Sequence, residues 1–324
     1  MDSITQAVLG ASIGEAILGK KIGKKGAVLG AIIATIPDLD VALYLIFDSY
    51  DMLRIHRGFS HSLLFTLIFT FIVVYGLQKI SWAKSIGYIR LWLFSWLTLF
   101  THVILDTFTS YGTQLLLPFS DRRLGFDAIN VVDPVYTLPL IIGLFSSLFW
   151  FKESKRRHIP NYIGLLVSTM YLFSTLGFKN KVTDNFMNQL VGRNIPFESI
   201  TTIPVGVASI NWYGVARTED SLYLQKMSLF LTPENVIDVF PINKELLDLL
   251  KPEVANEMRW FAKNNFTVGK DGKEIRIYNL QVDMRGVVYE GKDKYPTAGY
   301  FKFFQGSNGE MMFSSGSHSK KPEG

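Results

Sequence analysis

Residues 56–78 read HRGFSHSLLFTLIFTFIVVYGLQ, and from Gly58 to Gln78 there are 21 consecutive residues without Asp, Glu, Lys or Arg. A helix needs about 17–25 such residues to cross the hydrocarbon of a bilayer. Two more runs reach or approach that length: Pro134–Phe151 with 18 uncharged residues and Ile159–Phe178 with 20. Leu91–Leu105 is shorter and carries His102 just before Asp106, and Ala27–Phe47 is long enough but is interrupted by Pro37, Asp38 and Asp40. Ile4–Leu18, with Gln6 and Glu15 inside it, fits a half-span or an interfacial helix. A large soluble helical core is the competing reading. It accounts poorly for tandem Leu-, Ile- and Phe-rich runs separated by short basic loops. Met1-Asp2-Ser3 lacks the basic start of a cleaved signal peptide. The pattern predicts a polytopic α-helical membrane domain.

Charge divides the 324 residues in two. Residues 1–178 hold 15 Lys/Arg and 11 Asp/Glu, whereas residues 179–324 hold 18 and 17. The first part is charge-poor and the second is ordinary for a soluble domain. The absence of cysteine excludes a disulfide scaffold. The net charge of +5 does not predict a nucleic-acid partner, because the basic residues of the first part gather beside apolar runs. They form three clusters: Lys20, Lys21, Lys24 and Lys25; Lys79 and Lys84; and Lys152, Lys155, Arg156 and Arg157. The partner they imply is the lipid bilayer, with all three clusters on the cytoplasmic side. The chain then crosses outward at 27–47, back at 62–78, out at 88–107, back at 134–151 and out at 159–178. Residues 179–324 are left outside the cytoplasm.

After Phe178 the pattern becomes alternation with turn signals. Pro204–Val215, Ser221–Leu231, Glu274–Tyr289 and Gly299–Phe304 are rich in strand-forming residues. Asn243–Asn264 reads as a helix or a helix pair broken at Lys251 by Pro252, and Asp271-Gly272 reads as a turn. The expected organisation is a membrane domain over 1–178, a small soluble α+β domain over 179–313 and a disordered tail over 314–324. His318, in that tail, is expected to be inert.

Ionisable residues at membrane depth are costly, so their clustering is a functional signal. Three strings hold them. Pro37-Asp38-Leu39-Asp40 breaks a helix and presents two carboxylates. His56-Arg57-Gly58-Phe59-Ser60-His61-Ser62 has two imidazoles around a glycine. His102-Val103-Ile104-Leu105-Asp106 places a histidine and an aspartate on one helix face at i and i+4. Singly, each has a bland explanation: a hydrogen-bonded His–Asp pair, or an aspartate capping a helix. Together, and at one predicted face of the membrane, they predict a metal site. His56, His61, His102 and Asp106 are the expected ligands, with Asp38 and Asp40 as ligands or orienting groups. Such donors suit zinc, and manganese or iron with less selectivity. An ion held there lowers the pKa of a bound water. Asp38 or Asp40 is the expected general base, and Arg57 is expected to steady developing negative charge.

These strings resemble the YdjM-type family of bacterial membrane-bound metal-dependent hydrolases. The resemblance also rests on Thr5-Gln6-Ala7, Arg122-Arg123, Phe126-Asp127 and Asp133-Pro134. It covers about residues 1–178 and is specific in combination. Phe59 stands where the family often has another residue. Pro204, Asn211-Trp212 and Leu222-Tyr223 are similar to the longer members, less specifically. The resemblance implies a membrane-embedded hydrolase of the bacterial inner membrane. A more distant similarity of His102–Asp106 to zinc-dependent phospholipase C and related nucleases implies a phosphoester or lipid-linked substrate, with Arg54, Arg57, Arg122 and Arg123 available to hold a phosphate. The rival readings are an ion or solute transporter and a non-catalytic, metal-stabilised membrane protein.

Overall fold

The computed structural model describes residues 1–231, 236–281, 297, 299–305 and 311–317. The chain divides into two compact units: Met1–Phe47 with Arg54–Leu176, and Asp48–Leu53 with Gly177–Gly324.

In the first unit, Asp2 caps helix α1 (Ser3–Ile22) by accepting from the Thr5 amide. Gly23, in a left-handed turn at φ 59°, ends α1 and starts α2 (Lys24–Ala34). The two helices meet through glycines. Gly10 and Gly14 of α1 face Gly30 and Gly26 of α2, and a Cβ on any of the four would collide with backbone or side chain of the facing helix. Small residues four apart let two helix backbones touch where apolar surroundings give no other reason to associate. Pro37 has no amide hydrogen and its ring crowds the preceding turn, so α2 cannot continue. The chain instead turns through 49° into the tighter helical segment Pro37–Leu45.

The short helix α3 (Met52–Ile55) and the turn Phe59–His61 lead into α4 (Leu63–Gln78), bent by 58° from them and capped by the Ser62 hydroxyl on the Phe65 amide. Then come α5 (Ser81–Lys84), α6 (Tyr88–Thr107), an irregular stretch over 108–133 and α7 (Pro134–Phe145). Asp133 caps α7 on the Val135 amide, and a single wide turn, Ser146–Trp150, extends it. Helix α8 (Ile159–Gly192) has 34 residues and runs on past Phe178. Leu9, Ile13, Ile33, Phe94, Leu99, Leu105, Ile129 and Leu140 are among the core residues. Among the described residues, helices α6 and α8 are each long and apolar enough to cross a membrane, and up to four spans result if each bent pair counts as one.

Among its described residues, the second unit holds two four-stranded antiparallel sheets. One is β1 (Ser199–Val205), β2 (Asn211–Arg217), β3 (Ser221–Ser228) and β4 (Asp238–Pro241), in that order. Alternate residues of β2 face opposite sides. Trp212 and Ala216 pack with Val182, Phe186 and Leu190 of α8, while Tyr213 and Val215 join Ile203, Leu222, Leu224 and Tyr278. Gly214 leaves the space that the Phe186 ring fills. The stretch Pro204–Val215, expected to be strand-like throughout, is divided by a turn with positive φ at Gly206, Ala208 and Ser209.

The other sheet is β5 (Phe266–Asp271), β6 (Glu274–Asn279), β7 (Gly299–Gln305) and β8 (Met311–Ser317). Asp271 pairs with Glu274 across the expected turn, where Gly272 has φ 59°. The helix pair is α9 (Lys244–Leu247) and α10 (Pro252–Phe261), with Lys251 as the break and Pro252 in the first turn. Residues 314–317, expected to begin a disordered tail, instead pair with β7 in β8, Ser317 opposite Gly299. Residues 318–324, with His318, and residues 282–289 of the expected strand Glu274–Tyr289 lie outside the described residues.

The glycine contact makes a direct prediction. Gly14→Leu should destabilise the protein by about 1–3 kcal/mol through overpacking. Gly76→Ala in α4, where a Cβ meets nothing within 4 Å, should be neutral or slightly stabilising. Thermal unfolding of the two variants in detergent, followed by size-exclusion fluorescence, measures the difference.

Candidate metal centre

Each part of the centre comes from a break in regular structure or from a helix end. Pro37 forces the tight turn that presents Asp38 and Asp40. In the next string, Arg57 has φ 56°, unusual for a residue with a side chain. Its backbone is held from both sides: its amide donates to Asp40 Oδ2 at 3.0 Å, and its carbonyl accepts from the Gln114 amide at 3.0 Å. That turn carries the chain round to His61, which is fully buried. His102 and Asp106, also fully buried, project from the last turns of α6.

Four side chains converge. His61 Nε2 lies 3.3 Å from Asp38 Oδ1, 3.3 Å from His102 Nε2 and 3.4 Å from Asp106 Oδ2. His102 Nε2 lies 3.5 Å from Asp38 Oδ1 and 3.8 Å from Asp106 Oδ2. All four ligand atoms fall within 4.8 Å of one another. A tetrahedral site with bonds of about 2.0–2.1 Å has edges of roughly 3.3 Å, close to the separations of 3.3–3.5 Å, while His102–Asp106 at 3.8 Å is longer. Asp106 Oδ2 is buried and accepts no hydrogen bond among the described residues, with the Arg57 guanidinium as its charged neighbour. The donor set of two imidazole nitrogens and two carboxylate oxygens fits a divalent transition metal. Asp38, His61, His102 and Asp106 can therefore hold a metal ion.

The remaining expected residues surround this group. Asp40 is not among the four: its oxygens accept from His56 Nδ1 at 3.0 Å, the Arg57 amide at 3.0 Å and Ser60 Oγ at 3.1 Å. It also lies 3.4 Å from His61 Nδ1, which Ser60 Oγ approaches to 2.9 Å. Asp40 and Ser60 thus occupy the far side of His61 and leave its Nε2 directed at the centre, the usual way a second carboxylate orients a ligating imidazole. His56, expected as a ligand, is not brought to the four; it is tied to Asp40 and lies edge-on to Tyr111, with ring centroids 5.4 Å apart. Arg57 reaches inward, with Nε 3.2 Å from Asp106 Oδ2 and Nη1 donating to Thr109 Oγ1 at 2.8 Å.

Arg123 is buried and donates to the carbonyls of Tyr111 and Gly112, so it braces the loop. Arg122 is exposed, and Arg54 pairs with Asp121 at 3.2 Å on the surface.

Gln6 is a site residue to which sequence reasoning gave no chemical part. Buried on α1, it donates from Nε2 to Asp106 Oδ1 at 3.0 Å and to the His102 carbonyl at 3.2 Å. The Met1 nitrogen contacts the same Asp106 oxygen. The signal was present: an amide in a short apolar helix must bond to something. Ser60, Thr109 and Gln114 carried no comparable signal, because hydroxyls and amides in loops are commonplace.

Apolar helices of spanning length with a largely buried two-histidine, two-aspartate group define a helical membrane protein with a candidate metal centre. The YdjM inner membrane protein family matches residues 1–182, more than half the chain, and the chain belongs to that family. The uncharacterized protein YfhP of Bacillus subtilis (strain 168) is 33% identical over 141 residues, 41% of this chain and 42% of that protein. The inner membrane protein YbcI of Escherichia coli (strain K12) is 34% identical over 122 residues, 37% of this chain and 69% of that protein. The match thus spans less than half of YfhP. No solved structure matches.

The geometry separates the histidines. In purified protein, His61→Ala and His102→Ala should lose bound metal, whereas His56→Ala should retain it. Gln6→Leu, which removes a donor from Asp106, should weaken metal retention by about 10–100-fold. Elemental analysis after dialysis against a graded chelator reads all four.

Proposed function

We propose that this chain is a membrane-embedded metal-dependent hydrolase that cleaves a phosphoester or lipid-linked substrate. The observation that carries the reading is the convergence of Asp38, His61, His102 and Asp106 at ligand spacing. Zinc is the best fit, with manganese and iron as alternatives. When bound, such an ion supplies Lewis acidity and makes a water acidic enough to be used near neutral pH.

The chain's own groups divide the remaining work. Asp40 and Ser60 fix the His61 ring, and Gln6 and Arg57 hold the Asp106 carboxylate from its two oxygens. Both oxygens of Asp40 are engaged, which makes it an orienting group. Asp38 is the most exposed of the four, at 17% of its side chain; with Oδ1 directed at the group, its other carboxylate oxygen is the one we assign to accept a proton from an incoming water. Arg57 adds a fixed positive charge beside the reacting region, where developing negative charge is stabilised. The Lys/Arg clusters support cytoplasmic loops at 20–25, 79–84 and 152–157, with residues 179–324 as an extracytoplasmic soluble domain and the site on the outer face.

Hydrolysis of a panel of phosphodiesters by purified protein should appear with zinc, vanish after chelation and return on adding the metal back. His102→Ala should abolish it. Metal retained at full occupancy with no hydrolysis across the panel would favour the non-catalytic, metal-stabilised reading. A reporter active only outside the cytoplasm, fused after Phe178, should give signal; a cytoplasmic-only signal would invert the orientation.

A further inference from the structure

Residues Asp48–Leu53 belong by compactness to the second unit, although they lie between two strings of the candidate metal centre. Asp40 precedes them, and His56 follows three residues after Leu53. The division runs through helix α3 itself: Met52 and Leu53 fall in the second unit, Arg54 and Ile55 in the first. Fixing backbone costs entropy, so an excursion of six residues persists only if contacts hold them there.

Those contacts are specific. Asp48 Oδ1 accepts from the Tyr50 and Asp51 amides at 2.8 and 2.9 Å. The Asp48 carbonyl accepts from the Met52 amide at 3.1 Å, and the Tyr50 carbonyl from the Leu53 amide at 3.1 Å. The segment is thereby wound into a turn that buries Met52 and Leu53. The Tyr50 ring stands edge-on to Phe313 of β8 with centroids 5.6 Å apart, a pairing worth about 0.5–1.5 kcal/mol beyond its buried area. This seat is bordered by a cavity of about 710 Å³, lined in part by Tyr50, Val254, Phe303, Met312 and Phe313. A ring seated beside such a space can be loosened or pinned by what enters it.

The other end of the turn reaches the metal ligands in short steps. Beyond Ile55 come His56, whose ring is bonded to Asp40, and Arg57, whose amide also holds Asp40. Asp40 in turn lies 3.4 Å from His61 Nδ1, on the far side of the ring from the nitrogen that faces Asp38, His102 and Asp106. A shift at Tyr50 therefore reaches a ligating ring through one helical turn and one carboxylate.

We propose that the second unit regulates the metal centre: by seating Tyr50 on β8 it holds residues 48–53, and through them Asp40 and His61, in the arrangement that retains the ion. This rests on the metal reading of the four converging side chains and is independent of which bond the protein cleaves. Coupling between two sites is reciprocal, so an ion at the centre strengthens the Tyr50 seat by the factor with which the seat strengthens ion binding. A tyrosine that only packs within its own unit has no such reciprocity.

The test uses the full chain in nanodiscs, with zinc as the probe. Competition with a graded chelator should show zinc held at least about fivefold more weakly by Tyr50→Ala and Phe313→Ala than by wild type. Tyr50→Phe, which keeps the ring, should stay close to wild type. On adding zinc, hydrogen–deuterium exchange of the wild-type chain should slow at residues 48–53, 299–305 and 311–317 as well as around the centre. That comparison needs no variant and so stands even where the alanine variants fail to fold. Zinc that binds the wild-type chain yet slows exchange in the first unit alone, or folded alanine variants that hold zinc as tightly as wild type, would overturn the regulatory assignment and leave the metal centre standing. A wild-type chain that retains no zinc, manganese or iron on dialysis would overturn the metal reading, and this assignment with it.

Discussion

Removing two carboxylates from water inside an apolar helix bundle is the constraint on which the first unit depends. Asp106 is fully buried and Asp38 is partly buried. An unpaired carboxylate at that depth would cost several kcal/mol or more. The structure offsets this cost with partners drawn from far apart in the chain: His61 from the turn before α4, Arg57 from the same turn, His102 from its own helix and Gln6 from α1. No one element carries a stable part of the centre alone. The positions of α1, α4 and α6 are therefore coupled through one polar group, and a divalent ion would strengthen that coupling.

Helix α1 shows how the coupling is supported. Its apolar run is short, but its glycines seat it directly on the α2 backbone. The polar residues that shorten the run are each used. Gln6 meets Asp106 and His102 at one end, and Glu15 accepts from Arg157 at 2.9 Å toward the other. The same guanidinium group donates to the Gly19 carbonyl at 2.7 Å. Between them, the Ser12 carbonyl accepts from Asn161 Nδ2 at 2.8 Å. An apolar helix can slide or rotate at little cost, whereas a helix held by specific donors along its length cannot. Metal ligands must be held to within a fraction of an ångström, so this fixing is a condition of the site.

Much of the architecture was legible because it follows from local chemistry. Pro37 stops a helix wherever it stands, and His102 and Asp106 share a face at any i,i+4 spacing. Pro252 opens a helix, and Asp271-Gly272 turns a hairpin. Other features depend on tertiary pairing, on which local pattern is silent. That Asp40 serves His56 and His61, and that His56 stays out of the four, follows from the fold of 37–61 and from no spacing. The Ser-rich residues 314–317 lack strand propensity and are ordered by β7. Helix α8 continues beyond its apolar run because Val182, Phe186 and Leu190 find a sheet to pack on, and a run-length criterion cannot see that partner.

Arg57 ties these threads together. Its left-handed backbone costs about 1–3 kcal/mol relative to an ordinary conformation, and glycine would relieve it. Glycine follows immediately at Gly58, where it is needed for a different reason: a Cβ there would press on the carbonyls of Arg54 and Ile55. The turn thus uses glycine where space demands it and keeps a long side chain where backbone conformation argues against one. What the side chain contributes is the guanidinium group between Asp106 and Thr109, while the strained amide holds Asp40. One residue fixes the ligating carboxylate with its side chain and the orienting carboxylate with its backbone. Strain is retained where a simpler residue would remove it, and its two consequences bear on one of the four side chains directly, Asp106, and on another, His61, through Asp40.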